Sequence, residues 1–242
     1  GYLYQIMQIL YANGDDVYTD FAIKINDAGE YEYTKSGTNL LRFRADVYGQ
    51  ADPADMNPYQ KSVSAEDMVK ELGGDGDYGF GVVSESLEKP YTAAELEQYG
   101  LPDTLSQEDA LKIIAMRSAI NQNNYQKYIS TTIAKDISDK SMSSLMESKG
   151  YYVGVDVEES SIRVYNESLY YANIIGYTGK ISAEEIQSLN ADSGENKYDT
   201  TDIVGKAGLE QYYEKELQGV DGKKTVYVNN LGKVLKEDSQ VD

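Results

Sequence analysis

Three short stretches of the sequence carry residue types that suit serine acyl-transfer chemistry. They are Ser86-Leu87-Glu88-Lys89, Ser188-Leu189-Asn190 and Lys35-Ser36-Gly37. They match the patterns S-x-x-K, S-x-N and K-[ST]-G, which catalysis requires in that chain order, whereas here the K-S-G stretch comes first. The S-x-x-K stretch also runs directly into Pro90, which disfavours a helix holding its serine and lysine one turn apart. We therefore predict no catalytic residue.

The composition excludes most other catalysts and metal sites. The 242 residues contain no histidine and no cysteine, so histidine-based triads, thiol nucleophiles, disulfides and zinc sites built from these side chains are excluded. The stretch Asp75-Gly76-Asp77 is similar to the start of a calcium-binding loop, but its glycine comes one position early and Ser86 replaces the closing glutamate. Paired acids such as Glu158-Glu159 and Glu184-Glu185 are typical of a solvated surface. We predict no metal and no cofactor.

The charge balance argues against two classes of partner. The formal net charge is −19 and the pI is near 4.3, whereas nucleic acids and anionic membrane surfaces bind basic proteins. The sequence has no apolar run long enough to span a membrane and no signal peptide with a basic start.

Tyrosine is abundant, at 23 residues against 3 phenylalanines and no tryptophan. A tyrosine ring can pack while its hydroxyl stays hydrated, which suits partly exposed surfaces and interfaces. A tyrosine-rich lineage composition explains the count more simply.

Hydrophobic periodicity and capping signals predict helices through the first half of the chain. Apolar spacing predicts a helix over 2–11, and serine or threonine caps predict helices over 64–72, 92–100 and 106–121. Between the first two helices, alternating apolar residues on both sides of Asp27-Ala28-Gly29 predict a β-hairpin.

From about residue 128 the pattern becomes more β-like. Ile129, Thr131 and Ile133 alternate as in a strand, and helices are predicted over 138–149, over 168–175 and from Ser182. We therefore place a boundary near Thr131 and predict an α+β fold with two subdomains. Residues 1–130 would be mainly helical with an early hairpin, and residues 131–242 would mix helices and strands.

The stretch 204–235, VGKAGLEQYYEKELQGVDGKKTVYVNNLGKVL, combines a helix with a hairpin. Gly205 and Gly208 open its apolar-periodic run, and Gly219 falls where a left-handed C-cap is expected. Asn229-Asn230-Leu231-Gly232 supplies a hairpin turn. The glycine spacing differs from that of dinucleotide sites and P-loops, so we expect these glycines to serve backbone geometry instead of phosphate binding.

This stretch resembles the GxxGLE...YLxGxxG...VxxxGxVL passage near the end of the non-catalytic N-terminal region of class B penicillin-binding proteins, the membrane-anchored peptidoglycan transpeptidases. Four further stretches are similar to passages of this family: LYQIMQILYANGDDVYTDFAI (3–23), TLSQEDALKIIAMRSAINQNNYQKYISTTIAKDIS (104–138), VGVDVEESSIRVY (153–165) and YYANIIGYTGKIS (170–182). The sequence departs from the family at Asn166, usually a proline, and at Asn173, usually a histidine. The family's RGxIxDRxG strand is missing from it.

The resemblance implies a fold and a function. The chain would be the non-catalytic dimerisation or pedestal module of such a protein, with a helical subdomain and a β-rich subdomain that ends in a hairpin. It would position a D,D-transpeptidase domain, expected beyond Asp242, and contact a second copy or cell-wall morphogenesis proteins. It would lie, as a soluble part, at the extracytoplasmic face of the bacterial membrane, held by an N-terminal anchor outside this sequence. The alternative is a secreted carbohydrate-binding or adhesion module with a tyrosine-lined surface.

The resemblance also assigns structural or interface roles to nine residues. It implies that Arg163 and Glu210 join a buried or interfacial ion-pair network, and the alternative is a pair of ordinary surface charges. The other residues are expected to shape the backbone or the interface: Tyr165, Gly176, Tyr177, Gly205, Gly208, Gly219 and Gly222.

Overall fold

The computed structural model describes residues 1–122, 130–158, 164–193, 198–199, 202–219, 223–228 and 234–240. The helices, in chain order, are α1 Tyr2–Ala12, α2 Gly37–Val47, α3 Pro58–Ser62, α4 Ala65–Gly73, α5 Ala93–Tyr99, α6 Gln107–Gln122, α7 Asp139–Glu147, α8 Ser168–Ile175, α9 Ala183–Ser193, α10 Gly208–Tyr212 and α11 Glu214–Leu217. The strands are β1 Ile23–Ile25, β2 Tyr31–Tyr33, β3 Thr178–Lys180, β4 Ile203–Gly205, β5 Lys223–Val228 and β6 Val234–Gln240. The predicted α+β class is confirmed.

Backbone contacts divide the chain into two compact units. The first comprises Gly1–Glu158 with Val228–Val234, and the second comprises Glu159–Tyr227 with Leu235–Asp242. The first unit continues past Thr131, where the sequence predicts the subdomain boundary.

The main core of the first unit lies between the early hairpin and helices α2, α4 and α6. Strands β1 and β2 are antiparallel, with Ile23 opposite Tyr33, and the predicted turn contains Gly29 at φ 80°. The hairpin region and these helices all contribute buried side chains to this core, among them Ala22, Ile23, Ala45, Met68, Leu72 and Ile114. The hairpin predicted from alternation is therefore confirmed, and one of its faces covers α4.

Helix α1 is packed on two sides. Ile6 and Leu10 pack against Leu145 and Tyr152, while Met7 packs against the α6 side chains in a second cluster. The apolar face predicted for 2–11 is thus buried. Its cover comes from α6 and from residues 131–158, which the sequence assigns to the second subdomain.

Local capping chemistry sets several helix starts. The Ser64 hydroxyl accepts a hydrogen bond from Asp67 N–H at the start of α4, and Thr92 with Glu95 forms a reciprocal capping box at α5. These predicted starts are confirmed. The strand predicted around Thr131 is wrong for the described residues 130–135, which form no strand. One backbone hydrogen bond is made there, in which Tyr18 N–H donates to the carbonyl oxygen of Ile133 at 2.8 Å.

The second unit has a small core of its own. Strands β3 and β4 are antiparallel, with Gly179 opposite Val204, and the buried side chains are Ile181, Tyr198 and Val204. Strands β5 and β6 pair in a separate two-stranded sheet. The turn predicted at 229–232 lies outside the described residues.

Candidate interaction site

Three of the glycines named from the sequence meet where α8, β4 and α10 come together. Gly176 has φ 84° and Gly208 has φ 63°. A Cβ on Gly176 would lie 1.8 Å from the carbonyl oxygen of Ala207, and one on Gly208 would lie 2.5 Å from that of Ile174. A Cβ on Gly205 would lie 2.2 Å from the backbone of Glu210. These positions require glycine because the backbones of α8, β4 and α10 touch.

Two glutamates of the α10–α11 segment are buried beside this corner. Glu210 is 5% exposed and Glu214 is 7% exposed. The Glu214 carboxylate accepts a hydrogen bond from Gly205 N–H at 2.6 Å, so it satisfies the backbone at the end of β4. The predicted ion pair of Glu210 with Arg163 stays a prediction, because Arg163 lies outside the described residues.

A third acid links α9 to the end of β4. Glu185 accepts a hydrogen bond from Ser182 N–H at 2.7 Å, which completes the predicted capping box, and it forms an ion pair with Lys206. The Lys206 hydrogen bond, followed by the bonds from Ser182, lowers the pKa of Glu185 to about 2. Lys206 N–H in turn donates to the carbonyl oxygen of Tyr177 at 2.8 Å.

The remaining residues named from the sequence do not join this corner as one cluster. The Tyr165 hydroxyl is buried and makes no hydrogen bond in the described part of the chain, whereas the Tyr177 side chain is exposed. Gly219 follows α11 at φ 76°, the left-handed conformation expected after a helix. Gly222 lies outside the described residues.

Seven large exposed side chains, four of them tyrosines, lie on α8 and on the α10–α11 segment. We call them the tyrosine face: Tyr170, Tyr171, Ile174, Leu209, Tyr212, Tyr213 and Leu217. Tyr170 is 77% exposed and Tyr212 is 78% exposed, and the rings of Tyr212 and Tyr213 pack edge to face at 4.8 Å. Among the described side chains of this unit, these seven exposed ones outnumber the three that are buried in its hydrophobic core.

The S-x-x-K stretch at Ser86–Lys89 does not form the serine-lysine pair of a transpeptidase. Ser86 ends a 3₁₀ turn, Ser84–Ser86, so Ser86 and Lys89 are not held on one helical face. No group of acidic side chains in the described ranges could hold a metal ion. In the same ranges, no helix combines the length and the apolarity needed to cross a lipid bilayer.

The described residues thus form an α+β fold with buried glutamates at a glycine corner and exposed tyrosines on the helices beside it. The family model described as the penicillin-binding protein dimerisation domain matches residues 31–242. The chain belongs to this family, and the resemblance drawn from its sequence is confirmed.

The curated relatives include proteins named peptidoglycan D,D-transpeptidase and penicillin-binding protein. Peptidoglycan D,D-transpeptidase MrdA of Escherichia coli strain K12 is 36% identical over 90 residues, which are 37% of this chain and 14% of that protein. Penicillin-binding protein 3 of Bacillus subtilis strain 168 is 36% identical over 89 residues, 37% of this chain and 13% of that protein. The chain therefore aligns with a small part of these relatives. The alternative of a carbohydrate-binding or adhesion module finds no support in these matches.

Among solved structures, penicillin-binding protein 2B from Streptococcus pneumoniae strain 5204 aligns with a TM-score of 0.42 and 18% identity. The alignment covers 99% of this chain and 32% of that one.

Sequence reasoning missed Glu214 and Lys206. Glu210 and Glu214 stand four residues apart beside Leu209, Tyr213 and Leu217. Acids at this spacing share one side of a helix. The spacing predicts a shared side for the two carboxylates, but it gives no sign that this side is buried. No local signal marked the pairing of Lys206 with Glu185, because the two residues lie on separate elements.

Proposed function

We propose that the chain is a non-catalytic module that positions a D,D-transpeptidase domain and provides contact surface during peptidoglycan synthesis, at the extracytoplasmic face of a membrane-anchored bacterial protein. Family membership supports the module, and the names of the relatives support the enzyme class. The partners would be the transpeptidase domain itself, a second copy, or proteins of cell-wall morphogenesis.

The tyrosine face carries this proposal. Several large exposed apolar side chains on neighbouring helices are typical of contact sites, and tyrosine is enriched among residues that dominate binding energy. The second unit buries Ile181, Tyr198 and Val204 in its core but leaves Tyr170 and Tyr212 open to solvent. A partner that covers these rings would complete the apolar packing of the unit.

Labelling with a fluorescent penicillin tests whether the reactive serine lies outside this chain. The chain alone should remain unlabelled, because its S-x-x-K stretch lacks the helix that activates a serine. A longer product of the same gene that includes the following domain should be labelled at a serine outside residues 1–242. Labelling of the chain that disappears in Ser86→Ala would contradict the proposal, and absence of labelling in the longer product would contradict the enzyme class.

A further inference from the structure

The six methionines of the chain fall into two groups that differ in solvent exposure. Four of them are at most 3% exposed and belong to the cores of the first unit: Met7, Met56, Met68 and Met116. The other two lie on α7, where Met142 is 41% exposed and Met146 is 46% exposed. All six lie within the described ranges, and none has an intermediate exposure. Solvent therefore reaches two thioethers and not the other four.

The two exposed methionines share one side of α7. Met142 and Met146 are four residues apart, which places them one helical turn from each other. The helix buries a different side, formed by Ser141 and Leu145, and Leu145 packs against α1. Because each residue advances about 100° around a helix, the methionine side lies next to the buried side without being part of it.

The start of α7 is held by contacts that involve neither sulfur atom. The Ser138 hydroxyl accepts a hydrogen bond from Ser141 N–H at 3.3 Å and donates one to the Asp15 carboxylate at 2.7 Å. The same carboxylate accepts a hydrogen bond from Ser138 N–H at 3.0 Å. A polar change at Met142 or Met146 therefore leaves both the cap and the buried side of the helix in place.

Methionine provides all the sulfur of this chain, since the sequence contains no cysteine. Peroxides convert an accessible thioether to a sulfoxide, which is a polar group. At a surface position the new oxygen stays in water, whereas in a close-packed core it disrupts the packing. Exposure thus decides which methionines react and what the reaction costs the fold.

We propose that Met142 and Met146 form an oxidation site, at which a peroxide converts both thioethers to sulfoxides while the first unit stays folded. Each sulfur gives a lone pair to one oxygen of a peroxide molecule, so the O–O bond breaks and an S–O bond forms. The sulfur is oxidised, and the second peroxide oxygen is reduced and leaves as water after proton transfer. A methionine sulfoxide reductase reverses the modification.

Timed oxidation of the whole chain with hydrogen peroxide tests this site. Peptide mass spectrometry follows the gain of one oxygen at each methionine. We expect a fast phase in which Met142 and Met146 each take up one oxygen, about tenfold or more faster than any core methionine, because the core positions react only after local opening. In urea that unfolds the chain, all six methionines should react at similar rates.

The thermal midpoint of the oxidised chain tests whether the fold stays intact. Material taken after the fast phase should unfold within about 4 °C of the untreated chain. Incubation with a methionine sulfoxide reductase should then remove both oxygens from the folded protein, because both sulfoxides are accessible.

Leucine substitutions identify the reactive sulfurs. The double variant Met142→Leu with Met146→Leu should lose the fast phase. Met56→Leu is the matched control, because it makes the same change at a methionine that is 3% exposed, and it should keep the fast phase. Leucine nearly conserves the side-chain volume, and the thermal midpoint of each variant shows that it is folded.

Three results would overturn the proposal. They are a fast phase of fewer than two oxygens, a core methionine that reacts as fast as Met142, and a thermal midpoint that falls by more than about 4 °C after the fast phase. None of these outcomes depends on penicillin labelling, so the proposed function is tested separately.

Discussion

Glu185 shows how one carboxylate of this acidic chain is used for structure. It accepts hydrogen bonds from the Ser182 cap and pairs with Lys206 at the end of β4. The charged form is thereby favoured over the protonated form, and the ion pair connects α9 to the β3–β4 sheet. The same residue therefore starts a helix and holds it to its neighbour.

The lowered pKa of Glu185 predicts that the folding stability falls in acid. Its pKa falls from 4.5 to about 2 on folding. The stabilisation is therefore complete above about pH 4.5 and is lost as the pH falls through about 2. Thermal unfolding measured between these values should show a weaker pH dependence in Glu185→Gln than in the parent chain. Glu184→Gln, at the exposed neighbouring position, is the matched control, and an identical loss of pH dependence in both variants would contradict the assignment.

The sequence predicts an ion pair between Arg163 and Glu210, and this pair stays a prediction. Glu210 is buried, so removal of a partner that neutralises it should cost about 3 to 5 kcal/mol. Arg163→Ala and Glu210→Ala should each lower the unfolding free energy, and the double variant should lose less than the sum of the two. Chemical denaturation of the three variants measures this coupling. Additive losses would show that the two residues do not interact.

At the scale of elements, the α8–α10 junction depends on direct contact between the two backbones, with no side chain between them. Gly176 and Gly208 both have positive φ, and each lies against a carbonyl of the neighbouring segment. The glycines named from the sequence therefore act as close-packing positions between helices. They also fix the position of the tyrosine-face residues on α8 relative to those on α10.

Alanine substitutions at two glycines separate strain from steric clash. Gly176→Ala should destabilise the second unit by about 2 kcal/mol or more, because it adds a clash with the Ala207 carbonyl to the cost of positive φ. Gly219→Ala should cost only about 1 kcal/mol, since φ is 76° but no atom lies within 4 Å of the added carbon. Denaturant midpoints measure both effects. Equal losses would mean that the close approach contributes nothing.

Local signals predicted helix starts and the early hairpin well, because their causes lie within a few residues. Ser64 and Thr92 accept hydrogen bonds from the first turn of their own helices, and Gly29 sets the hairpin turn. The strand predicted at Thr131 failed because alternation alone does not supply a pairing partner. The ion pair of Lys206 with Glu185 could not be predicted, since the two residues lie about twenty positions apart on separate elements.

At the scale of the whole molecule, the net charge of −19 opposes self-association. If a second copy covers the tyrosine face, the two chains approach against this repulsion. Salt screens exposed charges over a distance of about 10 Å at 0.1 M. The dimer should therefore tighten as sodium chloride is raised, as measured by sedimentation velocity.

Two tyrosine variants locate the dimer contact. Tyr212→Asp should weaken association at every salt concentration, because it places a charge in the tyrosine face. Tyr18→Asp introduces the same change at another exposed tyrosine, in the first unit, and should have little effect. Association that weakens with salt, or that responds equally to both variants, would exclude the tyrosine face as the contact between copies.

The packing of α1 has a consequence for synthesis. Ile6 and Leu10 leave the ribosome before their partners Leu145 and Tyr152, which follow about 140 residues later. At the usual rates of translation this delay is on the order of ten seconds. During that time, the apolar face of α1 has no native cover from α7, so the nascent chain exposes an amphipathic segment. Chaperones that bind short apolar helices therefore have a defined target and a defined period in which to act on this protein.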